Sequence, residues 1–371
     1  MKRFITMIMA IALSTLGSQA QQFTVTRDTI HIDAGLFGET PKTNIQLRAA
    51  ESREGLYLLM YHRESMESWG KNNLLFVERN NRTIRNIELP DILPIGYTDF
   101  QNIFVRHDSL ILKVNAYHES DVSFYRWARE RHDKEEMKKN LNFTLDTRTD
   151  QWIPVKSAND LIYEDDQYRV CYWECGEWGE YMEFRNKNTD KRYIYKANGR
   201  IVRHEGCYYI INTHQVMKID DPTQGLPYQG SSWGNKKLPY TCPEPEVVMD
   251  LEDLVMPKGT NIPREILRND PLIPSPPYTF CAAFVVEGKL FLLIESQTGL
   301  YVASYQGGEL TKVQDIGCRA QHLRTNGYLL RENNHPDNQA FFQCEDVTTD
   351  NPVIVSVNGT NIRVTYIELE N

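Results

Sequence analysis

The chain has 371 residues, with 41 Lys plus Arg against 50 Asp plus Glu, 41% hydrophobic residues and 11% aromatic ones. That balance supplies enough apolar side chain for a sizeable core and excludes an intrinsically disordered or fibrous chain. The formal net charge of -9 argues against nucleic acid or anionic lipid as principal partner, because both demand a clustered basic face.

In chain order, the first segment reads as a leader. Lys2 and Arg3 precede an apolar run from Phe4 to Leu13, and Ser18-Gln19-Ala20 places small residues where a signal peptidase cuts. The run is far shorter than the ~20 residues that cross a bilayer as a helix. The expectation is a signal peptide over 1–20 and a mature domain over 21–371, exported to the periplasm, cell surface or medium, with no membrane span. Free glycans, peptides and other exported proteins are then the partners within reach.

Beyond the leader, period-2 alternation of apolar residues predicts short strands almost throughout. A strand at Phe23 to Ile32 comes first. One unit then recurs, a polar turn entering a strongly apolar strand: Arg53 to Leu59, His107 to Leu112, Asp165 to Val170, His204 to Tyr209, Glu287 to Leu292 and Thr325 to Leu330. Most copies continue into a second hairpin. Leu74 to Glu78 pairs with Thr83 to Leu89, Leu141 to Asp146 with Gln151 to Val155, and Tyr181 to Arg185 with Arg192 to Lys196. Leu300 to Tyr305 meets Leu310 to Val313 across Gly307-Gly308, and Phe341 to Glu345 meets Val353 to Val357. A last strand is expected at Ile362 to Leu369.

Two segments depart from this pattern. Arg126 to Lys139 is dense in charges of both signs, and Glu130 with Lys134 and Glu135 with Lys139 have the spacing of an exposed helical excursion. Eleven of the chain's 17 prolines fall between Asp221 and Tyr278. Proline cannot donate to a central ladder, so 221–278 reads as a long surface loop or small decoration inserted between the fourth and fifth units. The seven cysteines form no Cys-x-x-Cys pair and are expected mostly as buried free thiols.

With the Pro-rich excursion set aside, the units average about 49 residues, near the ~40 to 50 of propeller blades. On these repeats the chain resembles β-propeller proteins in general. The resemblance implies an all-β fold of six four-stranded blades, closed by pairing the N- and C-terminal strands so that no edge is left open. A pair of repeat-free β-sandwiches would explain the strands but not the recurring turn. No family fingerprint accompanies the resemblance; the Trp-Asp dipeptide of one large propeller class is absent.

The resemblance also gathers the connections between second and third strands on one face. Those loops carry Glu64, Glu119 and Glu174 as carboxylates, His62 and His118 as imidazoles, and Trp69 and Trp178 as aromatic candidates. Rings beside carboxylates suit a ligand with one apolar side and hydroxyl or amine donors, such as a glycan or a peptide. Cys175-Gly176-Glu177-Trp178-Gly179 fits a tight loop presenting Trp178. An exported binding or interaction module is the expected function, with no catalytic residue assigned. A glycan-active hydrolase or lyase using Glu64, Glu119 or Glu174 is the alternative. The histidines lack any paired ligand spacing, so neither a metal nor a cofactor is expected.

Overall fold

A computed structural model describes residues 22–37, 45–63, 69–90, 99–106, 109–115, 142–155, 161–174, 179–228, 242–251, 278–296, 298–318, 320–321, 340–346, 349 and 351–370. Strand β1 (Thr24–Asp33) precedes the repeats. Blade I comprises β2 (Ile45–Glu51), β3 (Gly55–Arg63), β4 (Trp69–Glu78) and β5 (Ile84–Ile87). Blade II comprises β6 (Asp99–Arg106), β7 (Ser109–Asn115), β8 (Asn142–Asp146) and β9 (Gln151–Pro154).

Blade III begins with β10 (Leu161–Glu164), β11 (Tyr168–Glu174), β12 (Glu180–Asn186) and β13 (Arg192–Tyr195). Blade IV follows with β14 (Arg200–His204), β15 (Cys207–Ile211) and β16 (Gln215–Ile219). Next in the chain are β17 (Leu226–Tyr228), which returns to the outer edge of blade III, and β18 (Glu246–Asp250), which completes blade IV.

Blade V holds β19 (Tyr278–Val286), β20 (Lys289–Ser296), β21 (Gly299–Gln306) and β22 (Glu309–Asp315). Blade VI holds β23 (Ala320–Gln321), β24 (Ala340–Asp346), β25 (Pro352–Asn358) and β26 (Asn361–Glu370), with β1 added outside β26. The protein is a six-bladed β-propeller.

Local sequence accounts for the hairpins. Glu205-Gly206, Glu287-Gly288 and Gly307-Gly308 occupy two-residue turns with both φ angles positive, the turn whose twist matches that of the flanking strands. Along each strand alternate side chains fill the seams between neighbouring blades. Leu59, Leu74 and Phe76 of blade I meet Ile103, Leu112 and Phe143 of blade II. Val170, Phe184 and Tyr195 of blade III meet Tyr208 and Ile210 of blade IV. Blades IV and V, V and VI, and VI and I share clusters of the same kind.

Closure comes from the termini, as expected. Strand β1 runs parallel to β26 from Thr24 opposite Asn361 to Asp33 opposite Glu370. It also grips its neighbours. Phe23 packs edge-on against Phe284 and Phe291 of blade V, with centroids 5.8 and 5.1 Å away. The amide of Gln314 both accepts from Phe23 N and donates to Phe23 O, each at 2.9 Å. Towards blade I, Arg82 pairs with Asp28, while Arg79 and Arg363 converge on buried Glu51.

Two expectations need correction. The Pro-rich stretch 221–278 is not wholly loop, because it supplies β17 and β18. Pro227 is tolerated because β17 is an outermost strand, where a missing donor breaks no inner ladder. In blade VI, Phe341 to Glu345 and Val353 to Val357 pair as expected but form the second and third strands. The outer hairpin is β25 with β26 across Asn358-Gly359-Thr360. The turn expected at Thr325 to Leu330, the charged run 126–139 and the leader lie outside the described residues.

Candidate functional site

Of the residues that the sequence assigns to second-to-third-strand connections, His62, Trp69 and Glu174 stand at strand ends rather than in the connections themselves. His62 lies near the end of β3, with its backbone opposite Ile45, and Trp69 opens β4 opposite Arg63. Glu174 ends β11 opposite Glu180. His62 and Trp69 thus belong to blade I and Glu174 to blade III, with blade II between them. Glu64, His118, Glu119 and Trp178 lie outside the described residues.

At the same end of the ring, a chain of polar contacts spans blades III and IV. Glu180 accepts from the Tyr172 hydroxyl and from Asn198 Nδ2. Asn198 Oδ1 accepts from Asn212 Nδ2 at 3.3 Å, and Asn212 Oδ1 accepts from His214 N at 2.9 Å and Gln215 N at 2.7 Å. Gln215 Nε2 donates to buried Asp250 at 2.8 Å. The loop at Asn212 to His214 is fixed on its other side as well: Leu251 N donates to His214 O at 2.9 Å and Phe280 N to Thr213 O at 3.1 Å. Gly199 makes this crossing possible. Its φ is +136° and a Cβ there would sit 2.4 Å from Ile211 O.

Next to this fixed loop, blade V carries a concavity of about 370 Å³ lined by Tyr278, Ser296, Thr298, Tyr301, Leu310 and Lys312. Tyr278 starts β19, Ser296 ends β20 and Thr298 sits in the β20–β21 connection, so one end of the cavity reaches the loop end of the blade, while Leu310, opposite Tyr305, marks the other end. Tyr301 and Lys312 come from β21 and β22 on the same sheet face. Alternation puts them there: Ala303 is opposite Lys312, two residues from Tyr301. Lys312 Nζ lies 2.6 Å from Asp315 Oδ1 and 5.1 Å from the centre of the Tyr301 ring. Burial, and secondarily the nearby Tyr278, pushes the Tyr301 hydroxyl up to about 12, so it stays protonated as donor and acceptor. Ser296 Oγ donates to Gly299 O at 2.8 Å and lies 3.1 Å from Thr298 Oγ1.

Sequence reasoning singled out residues of blades I to III and missed Tyr278, Tyr301 and Lys312. The signal was present in the β21–β22 hairpin, whose Gly307-Gly308 turn sets the register. What the hairpin does not reveal is how this face meets blade IV, whose Tyr209, Ile211 and Met249 share a cluster with Ala303 while Tyr301 and Leu310 pack partly buried against it. Among the described residues no group of three or more His, Cys, Asp or Glu side chains is placed to hold a metal ion. Among them too, no helix is long and apolar enough to cross a membrane.

The fold defines the class of protein, a β-propeller, and comparison with known proteins goes no further. No protein-family model matches the chain, and no curated protein matches it. Among solved structures it is similar to a prolyl endopeptidase, at 9% identity over 85% of this chain and 48% of the other, with a TM-score of 0.37. It thus spans about half the length of that protein. The β-propeller domain of the Trilobed protease from Pyrococcus furiosus matches at 10% identity over 85% of this chain and 94% of that one, with a TM-score of 0.36. An acylaminoacyl peptidase from Pyrococcus horikoshii matches at 10% identity over 90% and 66%, with a TM-score of 0.24. The likeness is one of fold alone.

Proposed function

We propose that this chain is an exported binding module that takes a small ligand, a glycan or a peptide, on the face formed by its second-to-third-strand connections. The observation that carries the reading is the blade V cavity, which reaches that face at Ser296 and Thr298, beside a loop fixed from both sides. Its volume of about 370 Å³ falls in the ~300 to 1,000 Å³ range of small-molecule sites. Rigid strands hold its side chains, so binding orders little and wastes little affinity.

The lining supports recognition: it offers phenol rings, hydroxyls and one ammonium, whereas glycoside cleavage calls for two carboxyl groups flanking the bond. The test is incubation of the purified protein with a panel of glycans and short peptides. A binder retains ligand and releases no product; saturable turnover, lost in Glu174→Gln or Glu64→Gln, would overturn the reading.

A further inference from the structure

We infer that the blade V cavity is a site for an uncharged sugar, with Tyr278 as the stacking platform and Lys312, held by its pairing with Asp315, as the hydrogen-bonding wall. The inference rests on the binding reading above and narrows its ligand.

Charge is the first argument. Lys312 lines the cavity, and its Nζ lies 2.6 Å from Oδ1 of Asp315, which stands opposite Tyr301 outside the lining, so the ammonium is already paired. A carboxylate ligand would have to compete with Asp315, and an amine ligand with Lys312. Each exchanges one ion pair for another, with little net gain at an exposed site. A neutral polyol leaves the pair intact. The ammonium has three donors, so adjacent hydroxyls can accept from those that Asp315 leaves free.

Ring surface is the second. Lys312 sits over the Tyr301 ring at 5.1 Å and thereby occupies one of its faces. Tyr278 is 37% exposed and offers the freer aromatic surface. A pyranose has an apolar C–H face and a polar rim, which matches one open phenol ring with hydroxyls and an ion pair around it. Ser296 has committed its proton to Gly299 O, and its oxygen accepts from Thr298 N at 3.3 Å, which leaves one lone pair for a ligand beside the Thr298 hydroxyl. Donors and acceptors therefore alternate around the platform.

Position in the sheet is the third argument. The lining side chains come from all four strands of blade V and stand on the face of the sheet. An extended peptide recognised by strand addition pairs with backbone groups along a sheet edge, whereas the groups that line this cavity are side chains on the sheet face.

Titration calorimetry with four probes tests the inference: cellobiose, the N-acetylglucosamine dimer, the glucosamine dimer and the galacturonic acid dimer, with tetra-alanine as the peptide arm. The two neutral sugars are expected to bind at least tenfold more tightly than the charged ones. Tyr278→Ala should weaken them at least tenfold while leaving the unfolding midpoint in place, since the ring is partly exposed. Asp315→Asn frees the ammonium and should raise affinity for the galacturonic acid dimer about tenfold, a change of preference that a structural role for Asp315 would not produce. Charged dimers binding wild type as tightly as neutral ones, or neutral binding untouched by Tyr278→Ala, would overturn the sugar inference and leave the binding reading standing. So would binding of tetra-alanine alone. If no glycan or peptide binds in any arm, both readings fall.

Discussion

Gln343 of β24 replaces a piece of β-ladder at the seam between blades VI and I. Its Oε1 accepts from Ala49 N at 2.9 Å and its Nε2 donates to Leu47 O at 3.1 Å, in a buried setting. Gln343→Leu keeps the volume and removes both bonds. Two buried backbone groups are then unpaired, at ~1 to 3 kcal/mol each, so the variant should lose about 2 to 6 kcal/mol. With an unfolding entropy of ~2.1 cal/mol/K per residue, a chain of this length shifts its midpoint by about 1.3 °C per kcal/mol, or about 3 to 8 °C in total. Calorimetry measures that directly. Gln343→Glu adds a sharper check. A protonated carboxyl can still accept from Ala49 N and donate to Leu47 O, whereas the anion would turn an oxygen towards that carbonyl. Burial and the carbonyl therefore raise the folded pKa above the unfolded ~4.3. The variant should match wild type below that value and fall behind it as pH rises through the folded pKa. A Gln343→Leu midpoint within about 1 °C of wild type, or a Gln343→Glu deficit independent of pH, would refute this account of the seam.

Further outcomes follow from other residues. Gly206→Ala, at φ +81° with nothing within 4 Å, should cost only the ~1 to 2 kcal/mol of left-handed backbone; Gly199→Ala should cost clearly more in urea unfolding, because its Cβ also meets Ile211 O. Glu183 is buried, with Oε2 lacking a hydrogen-bond partner and Arg192 3.8 Å from Oε1, and burial raises its pKa. The stability it lends is present at low pH and lost as pH rises, so Glu183→Gln should gain on wild type by ~1 kcal/mol between pH 4 and 7, read from paired denaturation curves. The thiols of Cys281 and Cys344 are buried and pushed well up by their surroundings; peptide mapping after maleimide treatment should find both unmodified until denaturant is added, and modification of either in the folded protein would contradict their placement.

The repeat was legible because its signals are local. Glu287-Gly288 and Gly307-Gly308 specify their turns whatever surrounds them, and Leu290 to Ile294 alternates between the two faces of one sheet. Strands β17 and β18 were not legible. Pro227, and the prolines before Glu246, oppose a strand reading on propensity. Only the vacant outer edges of blades III and IV, which the sequence does not display, make those segments pair. In blade VI the turn at Gly359-Thr360 was not read as a hairpin, which displaced Phe341 to Glu345 and Val353 to Val357 by one strand position. The cavity failed for a related reason. Tyr301 and Lys312 look like ordinary alternating residues of a half-buried hairpin, and whether a neighbouring blade covers them is a property of the ring.

Closure and the cavity meet in blade V. Phe23 braces β1 against Phe284 and Phe291, residues of the hairpin β19–β20 whose opposite end carries Tyr278 and Ser296. The hairpin is therefore held at one end by the chain terminus and at the other by the Phe280 N bond to Thr213 O of blade IV. An open ring would leave the first hold missing and let blade V pivot on the second. The parallel β1–β26 pair, which adds a fifth strand to a blade already complete without it, makes sense in those terms: its gain lies in fixing three blades at once, V through Phe23, VI through the ladder and I through Asp28 with Arg82. A site built on the face of one blade needs that blade stationary more than it needs a long loop, and this is why the side chains with the best claim to a ligand come from strands.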